Sequence, residues 1–404
     1  TAPMRPEARA VFDAARDLVL GNPSGVHRAS RRARALIEEA RDVVATAAGV
    51  AARHVVFTSG GTEADNLAVL GVHDRLGGTL VCGATEHHAV LDPVQARGGR
   101  TVGVDRLGGV RPDALAEELE AVGGGGGGGD PGVGVAGNNE GGTVQPVAEL
   151  AEVARRHAPG ALVHTDAAQA VSYVPLDELA GPVDLCTFSG HKFGGPVGVG
   201  ALVVRSDDVL DALAPRQLGG GQERGWRSGT PDAVAISALG AALTALAGTR
   251  ADEVVRTGRL RADLVTRLVA GVEGLVVTGA PEGDPARLDE TTVPGSESML
   301  YLLDREGVAA SSASSCASGA IRSSHVLAAM GLDAGLAAGS LRLSLGWATT
   351  AEDVVAGADA GGSAVGQPRG GPRQAGATEG VAPEGGARAG GPAGLGRPPM
   401  TKVG

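Results

Sequence analysis

Aromatic side chains are nearly missing from this chain: 404 residues include four Phe, two Trp and two Tyr. With 43% hydrophobic residues a large core is still available, but Ala, Val and Leu must build it. Cysteine is also scarce. Cys82, Cys186 and Cys316 are too few and too scattered for a disulfide framework or a zinc site. A reducing, cytoplasmic setting, in which a lone thiol stays free to react, is the expectation. Positive charge is short as well. A net charge of −11 argues against non-specific nucleic-acid binding, which relies on Lys and Arg neutralising phosphates. No apolar run approaches the ~18 residues of a membrane span. The opening Thr1-Ala2-Pro3-Met4-Arg5-Pro6 has no charged-then-apolar signal pattern. No membrane partner is expected.

What is present reads as α/β. Residues 28–48 carry Ala33, Ile37, Ala40, Val44 and Ala47 at spacings of three and four, which predicts an amphipathic helix. Val55-Val56-Phe57 predicts a short strand. It runs into Thr58-Ser59-Gly60-Gly61-Thr62-Glu63, and helical spacing resumes from Ala64 to Leu70. Strand, Gly-rich turn and helix in that order are the α/β pattern. Further strands are predicted at Leu80-Val81-Cys82, Thr101-Val102-Gly103-Val104, Ala161-Leu162-Val163 and Val183-Asp184-Leu185-Cys186. Helical stretches between most of them imply a mainly parallel sheet. Residues 239–272 are helical in pattern and point to a second, smaller domain. Residues 359–404, rich in Gly, Pro, Ala and Arg, predict a disordered tail. The seven glycines at 123–129 read as a linker, because a phosphate loop needs a defined turn into a helix and Asp130-Pro131-Gly132 follows instead.

The chemistry centres on Lys192 in Ser189-Gly190-His191-Lys192, just after a strand ending at Phe188. A lysine at a buried strand end is costly unless neutralised or bonded. An imine with an aldehyde cofactor removes that cost and supplies an electron sink. Three companions strengthen the reading. Gly60-Gly61-Thr62 offers backbone N–H groups and a hydroxyl at a helix start, suited to a phosphate. Asp166 follows a strand and could keep a pyridinium nitrogen protonated. His87, in Glu86-His87-His88, follows another strand and could stack on a ring or shuttle protons. All lie just beyond the C-terminal ends of predicted strands, where open α/β sheets bind ligands.

Nine segments then occur in one order: GNPSGVH (21–27), TSGGTEADNLA (58–68), TEHHAV (85–90), NNEGGTVQPV (138–147), HTDAAQ (164–169), SGHKFGGPVGVG (189–200), GGGQERGWRSGT (219–230), SSASSCASG (311–319) and LRLSLG (341–346). In these the chain resembles the cysteine desulfurases, class V members of the fold-type I enzymes that use pyridoxal 5′-phosphate (PLP). The resemblance implies a large domain over 16–245 with a seven-stranded-type, mainly parallel sheet. It also implies a smaller α+β domain from 1–15 and 246–358. Lys192 would bond the cofactor through its amine. His87 would stack on the ring, Asp166 pair with its nitrogen, Gln169 bond its phenolic oxygen, and Asn139 lie near that oxygen and the substrate. Gly61, Thr62, Ser189 and His191 would hold the phosphate. Thr230 would reach the neighbouring subunit's phosphate, implying a homodimer with shared sites. Arg342 would clamp the substrate carboxylate, a task suited to a planar bidentate donor.

Cys316 separates this chemistry from other PLP reactions. It stands in a Ser/Ala/Gly stretch with no large apolar residue before Ile321, so it should be exposed and movable, as a thiolate nucleophile must be. Cys82 and Cys186 sit in apolar strands and suit a buried, inert role. The implied reaction takes L-cysteine to L-alanine and leaves a persulfide on Cys316, which a long loop would deliver to a scaffold or carrier protein. Iron–sulfur cluster assembly and tRNA thiolation both begin with this step. Selenocysteine lyase, another class V reaction, and a non-catalytic sulfur-carrier partner are the alternatives. No metal is expected. The apolar strand anticipated before the catalytic loop is replaced by Asp289-Glu290-Thr291-Thr292-Val293-Pro294 and is expected to be lost, and Gly361-Gly362 is expected to cut the last helix short.

Overall fold

The computed structural model describes residues 1–18, 21–123, 133–135, 143–272, 275–278, 290–294, 297–312, 324–338 and 340–366. Seven strands form one sheet: β1 (Val55–Thr58), β2 (Leu80–Gly83), β3 (Arg100–Val102), β4 (Val133–Val135), β5 (Leu162–Asp166), β6 (Leu185–Ser189) and β7 (Gly200–Val204). Their order is β1-β7-β6-β5-β4-β2-β3. The pairs from β6 through β5, β4 and β2 to β3 are parallel, and β7 is antiparallel to both its neighbours. The C-terminal ends of β1, β2, β4, β5 and β6 therefore share one rim.

The sheet is apolar on both faces because helices cover both. Val55, Phe57, Val81, Val163, Cys186 and Phe188 belong to one buried cluster, and Val56, Leu80, Cys82, Leu185 and Leu202 to the other. Small residues let the covering helices approach closely. Ala40, in the helix Arg28–Ala48, faces Gly240 in the helix Ala233–Gly271, where an added Cβ would stand 3.1 Å from the Ala40 Cβ. The reading of a core built from Ala, Val and Leu holds, with Phe57, Phe188 and Phe193 the large exceptions. Asp232 caps the long helix by accepting from the N–H groups of Val234 and Ala235, each at 3.0 Å. By length and composition this helix could cross a membrane, although no apolar run was expected to. It is instead a core helix: its most apolar window is mainly buried, and its second half carries Arg256, Arg259, Asp263 and Arg267.

A second sheet has the order β8-β10-β9, from β8 (Glu290–Pro294), β9 (Ser311–Ser312) and β10 (Ser340–Ser344), all antiparallel. Behind it lies a smaller cluster of Leu264, Leu268, Leu303, Leu341, Leu345 and Val354.

Two expectations are corrected here. The polar stretch before the catalytic loop does form a strand, because Thr and Val suit a pleated backbone and β10 supplies its ladder. The last helix runs Ala351–Gly366, through Gly361-Gly362 and past the expected tail boundary at 359. Gly361 packs there against Leu268, where a Cβ would come within 2.9 Å of the Leu268 side chain. Its lack of a side chain is what lets the helix pass.

Candidate active site

The rim brings separated residues together. Asp166 is the last residue of β5, Ser189 the last of β6, and Lys192 ends the single turn that follows. Two β-strand ends flank Gly200, at the start of β7, which pairs with both Thr58 and Ser189. A Cβ on Gly200 would stand 2.7 Å from both the Gly60 carbonyl carbon and the Phe188 oxygen. Glycine is required there, and it lets the Gly60 turn lie against the end of β6.

That turn opens the helix Gly61–Leu76, whose N-cap, Gly60, provides no side-chain cap. Its first N–H groups are thus available to an anion. Ser189 lies beside it, with Cβ 3.6 Å from where a Gly61 Cβ would be. Glu63 locks the turn by accepting from the Ser59 N–H (3.0 Å), the Ser59 hydroxyl and Arg227 Nε (2.7 Å). Thr62 is exposed. His191 is half-buried, its Nδ1 lies 2.9 Å from the Thr1 hydroxyl, and burial, then the charges of Lys192 and the N-terminus, push it down to about 4. It is a neutral imidazole at pH 7. Thr230 is exposed, three positions past Arg227.

Lys192, Gln169 and Arg342 line one cavity of about 330 Å³, together with Tyr173, Arg5 and Trp347. Arg342 comes from β10 of the second sheet, so the cavity joins two structural layers. Its Nε is buried with no hydrogen-bond partner among the described residues. A buried guanidinium N–H without an acceptor is costly, and a bound carboxylate relieves it.

A buried polar layer lies at the ends of β5 and β6. Asp166 is buried, and its Oδ1 accepts from the Ala168 N–H at 2.8 Å. Burial drives its carboxyl up, opposed by that N–H and by the charges of His87 and Lys192. Asp65 reaches the same layer from the helix Gly61–Leu76. It accepts from the Thr187 hydroxyl, and His164 Nε2 stands 3.5 Å from its Oδ1 and 3.2 Å from the Thr187 Oγ. Burial and the Asp166 charge push Asp65 well above the usual carboxylate range. Burial thus favours the neutral form of both carboxyls, and most strongly that of Asp65. His164, buried, is pushed down to about 3 and is neutral.

His87 caps the helix His88–Ala96: its Nδ1 accepts from the Ala89 N–H at 3.1 Å. Proton traffic at this ring therefore runs through Nε2. Asn139 and Cys316 lie outside the described residues, but both sides of the Cys316 segment are described. It leaves from Ser311 and Ser312, which pair with Arg342 and Leu341. It returns at Ser324 and His325, where His325 Nε2 donates to the Glu86 carbonyl at 2.8 Å, one residue from His87. Burial pushes the Cys82 and Cys186 thiols up, leaving both protonated and inert.

The residues fit the cofactor expected from the sequence. There is a helix start without a side-chain cap beside Ser189 for a phosphate, a buried carboxyl for a ring nitrogen, an amine in the cavity, and a guanidinium whose Nε–H has no acceptor among the described residues for a carboxylate. Sequence reading missed Asp65, His164, Arg5 and Trp347. Arg5 sits 5.3 Å over the Trp347 ring and bonds Glu253 at 2.6 and 2.7 Å, a wall assembled from three distant segments. One signal went unread: the chain has two lysines, Lys192 and Lys402, among 35 basic residues. Where charge alone serves, this chain uses Arg.

Comparison with known proteins gives a consistent result. Residues 6–126 and 130–356 match the Aminotransferase class-V family. The chain is 40% identical over 378 residues to an IscS-like cysteine desulfurase of Mycobacterium tuberculosis, covering 88% of this chain and 91% of that protein. It is 35% identical over 370 residues to the cysteine desulfurase IscS of Dictyoglomus turgidum, covering 88% and 90%. Among solved structures, a NifS-like protein superposes with a TM-score of 0.78 at 29% identity, covering 90% of this chain and 96% of that one.

Proposed function

The chain belongs to the cysteine desulfurases of the class-V aminotransferase family, and from that premise we propose how its own residues do the work. The enzyme takes sulfur from L-cysteine, releases L-alanine and holds the sulfur as a persulfide on Cys316. PLP, when bound, supplies the electron sink that the C–S cleavage needs.

Arg342 would clamp the substrate carboxylate, using the buried Nε–H that has no acceptor among the described residues. Asp166, at the end of β5, would pair with the cofactor's ring nitrogen and keep it protonated. Gly61, Thr62, Ser189 and the neutral His191 would bind its phosphate, Gln169 and Asn139 its phenolic side. Lys192 would hold it covalently, and its amine would serve as the base for the substrate's α-proton. His87 manages the thiol proton through Nε2. Cys316 then attacks the substrate sulfur. The C–S bond breaks, an S–S bond forms, and the carbon takes a proton with the electron pair to become the alanine methyl. Exposed Thr230 suits a phosphate contact across a homodimer. The persulfide passes to an acceptor protein in the cytoplasm.

The observation that carries this reading is the shared cavity of Lys192, Gln169 and Arg342, with the Cys316 segment leaving beside Arg342 and returning beside His87. The test supplies the PLP-loaded protein with L-cysteine and a reductant and follows alanine and sulfide. Equal amounts should form, and Cys316→Ala should stop both. Full turnover in Cys316→Ala would overturn the assignment.

A further inference from the structure

We propose that His325 is a positioning residue for the sulfur step: it ties the returning end of the Cys316 segment to the turn that carries His87. The inference rests on the desulfurase reading and adds a residue to it. His325 opens the short helix His325–Ala329, and Ser324 caps that helix by accepting from the Leu327 N–H at 3.3 Å. Val326, Leu327 and Met330 bury the helix's underside in a small cluster with Ala337. Met330 also reaches Gly108, where a Cβ would stand 3.5 Å from its sulfur. The Gly108 carbonyl in turn accepts from the Thr85 hydroxyl at 3.2 Å and from Gln145 Nε2 at 2.9 Å. One route of contacts therefore runs from the end of the Cys316 segment, through Gly108, to Thr85.

His325 makes the second and more direct route. Its Nε2 donates to the Glu86 carbonyl at 2.8 Å, and its ring packs on the His88 ring at 4.5 Å between centroids, tilted by 55°. His88 is itself fixed by Asp92, at 2.9 Å. Glu86 and His88 flank His87, so His325 grips the peptide before the acid–base residue and the ring after it. An imidazole suits both contacts at once, with a flat face for His88 and an edge N–H for the carbonyl.

The consequence is geometric. A thiol on a tethered segment reacts according to how often it meets the substrate sulfur, and anchoring one end beside His87 raises that frequency. Steps that precede thiol attack need only the cavity and are independent of the anchor.

The test splits the two stages in single turnovers of the PLP-loaded enzyme. Stage one is the change in cofactor absorbance when cysteine is added, and stage two is the persulfide on Cys316, measured by peptide mass. His325→Ala should slow stage two about tenfold, the worth of one hydrogen bond, and leave stage one within about twofold. His325→Gln, which restores a side-chain N–H donor, should recover most of stage two. In the cofactor-free protein, amide hydrogen exchange over residues 85–88 should quicken in His325→Ala and not in His325→Gln. The proposal is overturned if stage two is unchanged in His325→Ala, if both stages fall together, or if Gln rescues neither readout. A wild-type enzyme that completes stage one but places no sulfur on Cys316 would sink the desulfurase reading itself.

Discussion

The two walls of the active site are built differently. One is the rim of the seven-stranded sheet, where Asp166, Ser189 and Asp65 are buried and apolar helices cover both faces. The other is the three-stranded sheet, which brings Arg342 and the start of the Cys316 segment and rests on one small cluster. The first wall holds dipoles and charges at fixed places in a buried setting, where they act most strongly. On the proposed function, the second would bind one end of the substrate and carry a segment whose thiol must both reach the substrate and leave with its sulfur. The difference suggests a division of labour: electronic control in the thick layer, delivery in the thin one.

Kinetics should divide along the same line. Asp166→Asn should lower kcat about 10²- to 10³-fold with little change in KM, because its charge acts mainly as the reaction proceeds. Arg342→Gln should instead raise KM for cysteine about 10- to 100-fold, as loss of a charge-assisted clamp does. If Arg342→Gln fell mainly on kcat, or Asp166→Asn mainly on KM, the division of labour would be wrong.

Stability sharpens the contrast. Leu185 is fully buried in β6 under close-packed helices, and Leu341 lies in β10 over the smaller cluster. Leu185→Ala should cost about 3–4 kcal/mol and Leu341→Ala about 2, since the thinner layer can collapse around the void. Denaturant midpoints would measure both, and a larger loss at Leu341 would contradict the comparison.

A pH dependence sets the buried polar layer apart from the thinner wall. His164 stays neutral in the folded protein down to about pH 3, whereas an unfolded histidine takes a proton near pH 6.5. The unfolded state therefore binds more protons across that window, and stability falls as pH drops through it, by at most ~1.4 kcal/mol per pH unit. Asp65 and Asp166, raised in the folded state, act with the opposite sign: their contribution is lost as pH rises through their folded values. His164→Gln should flatten the loss of Tm between pH 6.5 and 4.5, and parallel curves for the two proteins would refute the assignment.

Much of this was legible in the sequence where one local period or motif decided the outcome. The helix over 28–48 follows from Ala33, Ile37, Ala40, Val44 and Ala47, and all but the half-buried Ala47 are buried. Lys192, Asp166 and His87 were found because each follows a strand, and that rim is where such sheets bind ligands. Strand β7 was not among the predicted strands, and half of its pairing comes from β1, far away in the chain. Asp65 was not singled out. Only its neighbours Ala64, Leu67 and Ala68, all buried, mark its inward face, and its partners Thr187 and His164 lie about a hundred residues away. The polar β8 defeated a search for apolar runs, because backbone pairing with β10 defines that strand.

The most direct test follows the sulfur atom. One turnover with sulfur-labelled L-cysteine, quenched and mapped by peptide, should put the label on Cys316 of the wild-type protein, with none on Cys82 or Cys186. Lys192→Ala, which lacks the cavity amine, should show no label. Label on either buried cysteine, or on Cys316 at the wild-type level without Lys192, would contradict a site in which that amine and that thiol work on one substrate.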